Sequence, residues 1–431
     1  MKVDRDILNN LCLNITDGEH GTIQNDNDGR YFLLSNKNII NGQIIISDAD
    51  RRINKESFSK INKRTKLENG DLVISTVGVL GKLAIIKAEN LNYDFQRSVG
   101  IVKCDEKKIN TKYLYYYLNT QFVQNRLNHL SKGAVQKCLF ISDLKNLEID
   151  FPDLPTQQKI ASVLSALDDK IELNNRINAE LEAMAKTLYD YWFVQFDFPI
   201  VTSSGVEKPY KTSGGKMVYN EILKREIPEG WEVKNVGDII TKIESGKRPK
   251  GGIDKNLKNG IPSLGAESID RLGVFNYSST KYIPIEYKEK IKSGIIQNND
   301  ILIYKDGAYV GKTTLFRDNF PFEFATINEH VFLVRAKDKY FQEYLLLTLM
   351  QKYYFNMMQS LGQKAAQPGL NQEDFKSLKI IVPNDDVLKS FNKQIDLLFG
   401  KLFINSKQNQ ELSALRDWLL PMLMNGQVKV G

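Results

Sequence analysis

The chain has 431 residues, of which 42% are hydrophobic and 26% are charged, and its formal net charge is +7. This length suggests two or three domains, each able to bury its own core. No apolar run approaches the roughly 18 residues that cross a bilayer, and no signal-peptide core is present, so a cytoplasmic protein is predicted. Three Cys without CxxC spacing and three His without ligand spacing disfavour disulfide and metal chemistry.

The first half of the chain opens with short apolar segments separated by Gly and Pro. The segments YFLLS, QIIIS, DLVISTVG and KLAIIK predict strands. The aromatic run from Thr111 to Leu130 predicts one helix, and a last strand ends at Pro152. Strands followed by a helix in one unit indicate an α+β module.

A long helix and a linker follow the first module. From Gln157 to Trp192 the apolar positions step by four and three residues, which predicts a helix with a heptad seam. Residues 199–226 are rich in Ser, Gly and Lys without a period, which is typical of an exposed connection.

The second half repeats the plan of the first. With a shift of 231 residues, KGAVQKCLFISDLKNLEIDFP from Lys132 matches QKAAQPGLNQEDFKSLKIIVP from Gln363 at eight of 21 positions. The strand-like segments IPSLG, DILIYKDG and VFLVRA and a helix from Tyr340 to Leu361 complete a second module, and a second heptad helix follows it. The chain is therefore predicted to be two copies of one unit.

Both predicted long helices carry two Asn on the apolar seam at matching places. If the helices pack antiparallel about a pseudo-twofold axis, Asn174 meets Asn409 and Asn178 meets Asn405, and these amides fix the register. The predicted fold is thus α+β, with two similar modules separated by an antiparallel coiled coil. The predicted boundaries are 1–154 for the first module, 155–196 for its long helix, 197–226 for the linker, 227–384 for the second module and 385–425 for the second long helix.

The basic excess lies on the modules, which together carry +8, whereas the two long helices carry −1. Basic side chains that neutralise phosphates supply most of the sequence-independent affinity for DNA, and polar side chains read base edges. Duplicated basic modules joined by a spacer therefore favour a DNA-recognition protein.

Catalytic motifs do not emerge from the sequence. DGAYVGKTT from Asp306 has three residues between Gly307 and Gly311, where a phosphate-binding loop needs four, so a turn between two strands is predicted. GxGxxG before a helix, GxSxG and the N/D-P-P-Y/F tetrapeptide of amino-methyltransferases are absent. We expect a protein that is not an enzyme.

The long helix reads LPTQQKIASVLSALDDKIELNNRINAELEAMAKTLYDYWF from Leu154 and is followed by FDFP, KPYKTSGGKMVYN and REIPEGWE. This order of segments resembles the specificity subunits of type I restriction-modification systems, and the resemblance covers essentially the whole chain. The second helix departs from the first, because DVLKSFNKQIDLLFGKL replaces TQQKIASVLSALDDKI and Arg416 stands where the first helix has Ala185.

This resemblance implies a function and a set of partners. Each module would be a target-recognition domain that reads one half of a split, asymmetric site in double-stranded DNA. The chain itself would bind no cofactor. It would scaffold two modification (methyltransferase) subunits, which carry S-adenosylmethionine, and restriction subunits, which use ATP and Mg²⁺.

Candidate DNA-binding residues follow from loop position and side-chain chemistry. They are Thr16, His20, Lys82, Arg97, Lys132, Gln136 and Lys137 in the first module, and Lys247, Arg248, Lys250, Lys312, Gln363, Lys364 and Gln367 in the second. Two alternatives stay open at this point. One is the recognition subunit of a system whose nuclease and methyltransferase are fused in one partner, and the other is a protein-interaction scaffold that binds no nucleic acid.

Overall fold

The computed structural model of the chain describes residues 3–87, 91–132, 137–201, 205–247, 257–363, 369–428 and 430. The chain divides into two compact units, Met1–Lys170 with Leu412–Gly431, and Ile171–Glu411. Within the described ranges, no helix is long and apolar enough to cross a membrane.

The first unit is built on a four-stranded antiparallel sheet. Its strands, in spatial order, are Cys12–Asp17, Val99–Cys104, Leu72–Ser75 and Leu83–Ile85. The smaller sheets are Arg52–Ile53, Tyr31–Leu34 and Tyr93–Phe95; Asp4–Ile7 with Glu148–Phe151; and Ile39–Ile40 with Gln43–Ile44. The helices are Leu8–Leu11, Asn36–Asn38, Lys55–Thr65, Thr111–Asn119, Gln121–Leu130 and Ile141–Lys145. Cys12 lies opposite Cys104 in the ladder, and both thiols are free.

The second unit repeats this topology. Its four-stranded sheet has the order Ile240–Ser245, Val331–Ala336, Asp300–Tyr304 and Thr313–Phe316. The smaller sheets are Lys281–Ile283, Ile261–Leu264 and Thr326–Ile327, and Glu232–Asn235 with Lys379–Val382. The helices are Val236–Ile239, Ala266–Ser268, Tyr277–Ser279, Ile285–Lys290, Gly307–Tyr309, Lys339–Leu349, Lys352–Gly362 and Gln372–Ser377. In both units one pair in the three-stranded sheet is parallel. The predicted α+β repeat is therefore confirmed.

The prediction of one helix from Thr111 to Leu130, and of one from Tyr340 to Leu361, is wrong, because each of these segments forms two helices. In the first module Thr120 is extended (φ −63°, ψ 144°) and its hydroxyl accepts a hydrogen bond from the Val123 amide. Threonine is a favoured N-cap because its side chain satisfies an otherwise unpaired amide at a helix start. Gln351 breaks the matching segment of the second module with a similar extended backbone.

The segment predicted as an exposed linker contains two hairpins. They are Pro199–Val201 with Glu207–Pro209, and Met217–Asn220 with Arg225–Pro228. Aromatic rings fix the start of this segment, since Phe198 stacks on Tyr210 at 4.6 Å and on Trp231 at 5.0 Å between ring centroids. Stacked aromatic pairs contribute beyond their buried area, which explains order in a Gly- and Ser-rich segment.

Two long helices, Leu154–Tyr189 and Asp385–Met424, follow the modules. In the second unit the Asn174 side-chain amide donates to Asn409 at 2.9 Å, and Asn405 donates to Asn178 at 2.9 Å. The residues that pair follow each other in opposite order along the two helices, so the helices are antiparallel, as predicted. That these amides set the register remains a prediction.

Each unit completes its core with residues from both halves of the chain. In the first unit, Leu423 and Met424 from the end of the second long helix pack into the core of the first module. In the second unit, Tyr189 at the end of the first long helix and Trp192 in the π-helical turn Asp190–Val194 that follows it join an aromatic cluster around Phe391.

Three residues at the contact between the long helices and the module are polar in the first unit and apolar at the matching positions of the second. In the first unit, Asp168 accepts hydrogen bonds from Tyr116 at 2.6 Å and from Arg416 at 2.7 Å. Burial alone lowers the pKa of Arg416, but the hydrogen bond and charge of Asp168 outweigh burial, so the pKa is raised. The matching residues of the second unit are apolar and buried, namely Leu347, Phe399 and Ala185. The departure at Arg416 is therefore part of a polar triad.

The paired seam amides predict a double-mutant cycle. Asn405→Leu alone is expected to lower the free energy of unfolding by about 1–3 kcal/mol, because it leaves the buried Asn178 carbonyl without its donor. Asn178→Leu with Asn405→Leu is expected to unfold within about 1 kcal/mol of the native chain, since both partners become apolar. Urea denaturation followed by circular dichroism measures the cycle, and a coupling energy near zero would contradict it.

The triad predicts a second stability effect. Arg416→Ala is expected to cost about 1 kcal/mol, because the Asp168 carboxylate loses a charged donor in a partly exposed site. Transplanting the second unit's residues as Tyr116→Leu, Asp168→Phe and Arg416→Ala is expected to recover the loss, because packed apolar groups can replace an ion pair. Lys170→Ala, an exposed change on the same helix, serves as control in urea denaturation. Equal losses for the single and triple variants would refute this account.

Candidate nucleic-acid interface

Three loops meet at one end of the four-stranded sheet of the first module. The Thr76 amide donates to the Ser98 carbonyl at 2.9 Å, and the Leu139 amide donates to the Thr76 carbonyl at 2.8 Å. The Gly78 amide donates to the Lys137 carbonyl at 2.9 Å. These backbone bonds tie together the loop 76–82, the turn 96–98 and the described residues 131–132 and 137–140, which we call the first loop cluster.

The same three loops meet in the second module. The Lys305 amide donates to the His330 carbonyl at 3.1 Å, and the Leu370 amide donates to the Lys305 carbonyl at 2.7 Å. Asp306 and Gly369 form a bridge, as Val77 and Cys138 do in the first module. We call the loops 305–312 and 328–330, with the described residues 363, 369 and 370, the second loop cluster. The repeat thus includes the loops as well as the sheets.

The first strand of each four-stranded sheet is followed at once by a glycine with no room for a side chain. A Cβ atom on Gly18 would lie 2.1 Å from the Phe95 carbonyl oxygen, and one on Gly246 would lie 1.6 Å from the Ile327 carbonyl oxygen. Both glycines allow the edge strand to pass against the neighbouring backbone. Two candidate residues follow these close approaches, His20 two residues after Gly18 and Lys247 one residue after Gly246.

The hairpin in each cluster is a strand pair with a glycine turn. The Asp300–Tyr304 and Thr313–Phe316 strands are antiparallel neighbours, and Gly311 between them has φ +90°. Gly81 occupies the matching place with φ +74°. The prediction that DGAYVGKTT forms a turn between strands is therefore confirmed.

Unpaired cations line the first loop cluster. Arg97 and Lys137 are exposed and Lys82 is half-buried, and none of the three pairs with a carboxylate in the described part of the chain. Lys132 is less free, because its ammonium group lies 3.9 Å from Asp143 and over the Phe140 ring. Gln136 lies outside the described residues.

Two further candidates, Thr16 and His20, belong to a charged group beside the cluster. The His20 ring lies 2.6 Å from an Asp17 carboxylate oxygen, and Arg64 donates to the Thr16 hydroxyl at 3.4 Å and the Asp17 carbonyl at 2.9 Å. Arg64 also lies 3.9 Å from the carboxylates of Asp17 and Glu19. Arg64 therefore offsets two negative charges near the loops, a role that loop position alone did not indicate.

The second cluster has a different chemistry at the matching places. Asp306 lies 2.9 Å from both Lys305 and the His330 ring, where the first module has Val77, Thr76 and Ser98. Lys312 lies over the Tyr309 ring at 4.9 Å. Lys247 and Gln363 are exposed, and Arg248, Lys250, Lys364 and Gln367 lie outside the described residues. Sequence reasoning missed Asp306 and His330 because strand register, not spacing, brings them together.

Metal ligation has no support in the described residues, since no group of three or more His, Cys, Asp and Glu side chains could hold an ion there. The clusters instead present cations, amides and hydroxyls at the end of a sheet. Such groups suit contacts with phosphates and base edges.

Comparison with known proteins agrees with this chemistry. A model of the type I restriction modification DNA specificity domain matches residues 20–183 and 228–413. The MjaIX specificity subunit of Methanocaldococcus jannaschii is 30% identical over 90% of this chain and 84% of its own length. The HindI specificity subunit of Haemophilus influenzae is 27% identical over 84% of this chain and 87% of its own length.

A solved structure shares the fold. The type I S subunit from M. genitalium superposes with a TM-score of 0.58 at 18% identity, covering 98% of this chain and 96% of the other. With the family match over both halves, the chain belongs to the type I restriction-modification DNA specificity subunits. Its activity is DNA target recognition, and the chain is a recognition subunit rather than an enzyme.

The charged group around Arg64 predicts an effect on DNA binding. Arg64→Gln is expected to weaken binding about tenfold at low salt, because the Asp17 and Glu19 carboxylates then face phosphates without a counter-charge. Adding Asp17→Asn is expected to restore part of the affinity. Arg126→Gln removes a matched surface pair with Glu148 and is expected to have no effect. Fluorescence anisotropy with duplex DNA measures all three, and failure of Asp17→Asn to restore binding would contradict this role.

Proposed function

We propose that each loop cluster reads one half of a split, asymmetric DNA target. The observation that carries the proposal is that the backbone of the cluster is repeated while its side chains differ. Thr76, Val77 and Ser98 in one module are replaced by Lys305, Asp306 and His330 in the other. Unlike donors and acceptors select unlike base edges, so two unlike half-sites follow.

Within each module we assign two kinds of contact. The candidate cations Lys82, Arg97 and Lys137, and Lys247 and Lys312 in the second module, would hold phosphates and position the loops. The polar candidates Thr16, His20 and Gln363 would reach base edges, as would Gln136 and Gln367. Arg248, Lys250 and Lys364 extend the basic set, and Lys132 would contact DNA only by leaving Asp143.

The long helices are proposed to scaffold the partner subunits. Relatives of this chain are subunits of type I restriction enzymes, so we infer that it acts with modification and restriction subunits in the cytoplasm. Methyl transfer and DNA cleavage would take place on those subunits, which bind S-adenosylmethionine and ATP with Mg²⁺. Exposed apolar side chains such as Leu397 and Ile404 in the second unit offer surface for such contacts.

Mapping of methylated adenines tests the proposed function in the cell. Genomic DNA is compared between the host and a strain that lacks this gene but keeps the partner genes. One split motif with unlike halves and a fixed gap is expected to disappear with the gene. Complementation with the intact gene is expected to restore it, and unchanged methylation in the deletion strain would refute the proposal.

The two alternatives predict different results. A protein-interaction scaffold would show negligible DNA affinity without salt dependence, whereas DNA recognition requires an affinity that falls steeply with salt. A partner that fuses nuclease and methyltransferase would copurify with this chain as one large subunit. Separate modification and restriction subunits are the expected result.

A further inference from the structure

A helix in the first module carries a row of lysines outside the candidate loops. The helix Lys55–Thr65 with its C-terminal residue Lys66, which we call the basic helix, has five basic residues and one acidic residue. Lys55, Lys60, Lys63 and Lys66 are exposed, whereas Ile61 and Thr65 are buried on the opposite side. At 3.6 residues per turn these four lysines share the outward face.

The ammonium groups of this face are free. None of the four lysines pairs with a carboxylate among the residues that the structure describes, although Arg64 on the same helix does pair with Asp17 and Glu19. Like charges at helical spacing repel one another by a few tenths of a kcal/mol. A row of unpaired lysines therefore raises the free energy of the isolated module and is relieved by an anionic partner.

The basic helix is rigidly attached next to the first loop cluster. The Asn54 side chain caps its first turn at the Ser57 amide, and Thr65 donates to the buried Asp94 at 2.6 Å. Asp94 belongs to the strand that leads into the turn of Arg97. The end of the basic helix is also linked to that turn, because Arg64 lies 3.9 Å from the Glu19 carboxylate and the Glu19 carbonyl accepts a hydrogen bond from the Arg97 amide.

Lys66 occupies a position that favours glycine. Its φ of +47° is left-handed, and its amide closes the helix by donating to the Asn62 carbonyl at 2.7 Å. A left-handed conformation costs a non-glycine residue about 1 kcal/mol. The helix end therefore carries a charged side chain where a neutral glycine would be more stable.

The described residues at the matching place of the second module form no basic helix. Between its strands Lys281–Ile283 and Asp300–Tyr304 stands the short 3₁₀ helix Ile285–Lys290, where basic and acidic residues are balanced. At this place in the fold the lysine face therefore occurs in the first module and not in the second.

We propose that the basic helix is a phosphate-binding surface that contacts the DNA backbone flanking the half-site of the first module. Four ammonium groups on a helix about 18 Å long can neutralise several consecutive phosphates. The contact supplies sequence-independent affinity on the side of the first half-site, so the protein binds the DNA backbone more strongly on that side than on the other. This inference rests on the proposed function, because it needs DNA at the first loop cluster.

A charge-removal variant tests the inference. Lys60→Gln, Lys63→Gln and Lys66→Gly are combined in the full chain, because Gln keeps helix propensity and Gly relieves the left-handed position. The probes are a fluorescein-labelled duplex that carries the methylated motif and a scrambled duplex. The slope of log affinity against log salt is expected to become shallower by about 2–3, by equal amounts on both probes.

A matched triple variant controls for net charge. Lys107, Lys112 and Lys159 are exposed in the same unit, beyond the opposite end of the Val99–Cys104 strand, and change to Gln without an expected loss of slope. Urea denaturation is expected to show the basic-helix variant to be at least as stable as the native chain. Unchanged slope in that variant, or an equal loss in the control, overturns the inference. Failure of the native chain to bind either duplex would instead overturn the proposed function, and the inference with it.

Discussion

The buried seam between the two long helices is the constraint on which the rest of the structure depends. Each unit completes the core of its module with apolar side chains from the long helix of the other half of the chain. Neither half of the chain therefore supplies a complete core by itself. The side-chain amides of Asn174, Asn178, Asn405 and Asn409 hydrogen-bond across the seam between the two helices. Asn pairs on an apolar seam favour one alignment of two helices, so we expect the closing of the cores and the alignment of the helices to be coupled.

The duplicated plan keeps its backbone and varies its side chains at two levels. At the helix junction, a Tyr116–Asp168–Arg416 triad in one unit stands against buried apolar residues in the other. At the loop clusters, Thr76, Val77 and Ser98 in one module stand against a Lys–Asp–His network in the other. The repeated sheets and loop ends place the two clusters in the same way. The different side chains are what the proposed reading of two unlike half-sites requires.

Periodicity and repetition were enough to predict the α+β repeat and the antiparallel helices. The heptad spacing of apolar residues and the matching Asn positions recur at fixed intervals in the sequence, so they can be recognised without any knowledge of tertiary contacts. The helix break at Thr120 was missed because a single N-cap interrupts an otherwise continuous apolar pattern. The hairpins after Phe198 were missed because aromatic stacking, not local propensity, orders them.

Site residues were harder to predict for a physical reason. Loop position singled out Arg97 and Lys137 as candidates, and the structure leaves both side chains exposed. Asp306 and His330 are 24 residues apart and meet only through strand register, and Arg64 reaches Asp17 from a helix that follows a different sheet. Cross-element contacts of this kind carry no local sequence signal.

The central claim is that two loop clusters read two half-sites independently on one scaffold. The most direct measurement is methylated-adenine mapping in a strain whose gene carries Lys305→Thr, Asp306→Val and His330→Ser, the residues of the first cluster. The account predicts that one half of the split motif changes or relaxes, while the other half and the gap stay as they are. Alteration of both halves, or of the gap length, would contradict it.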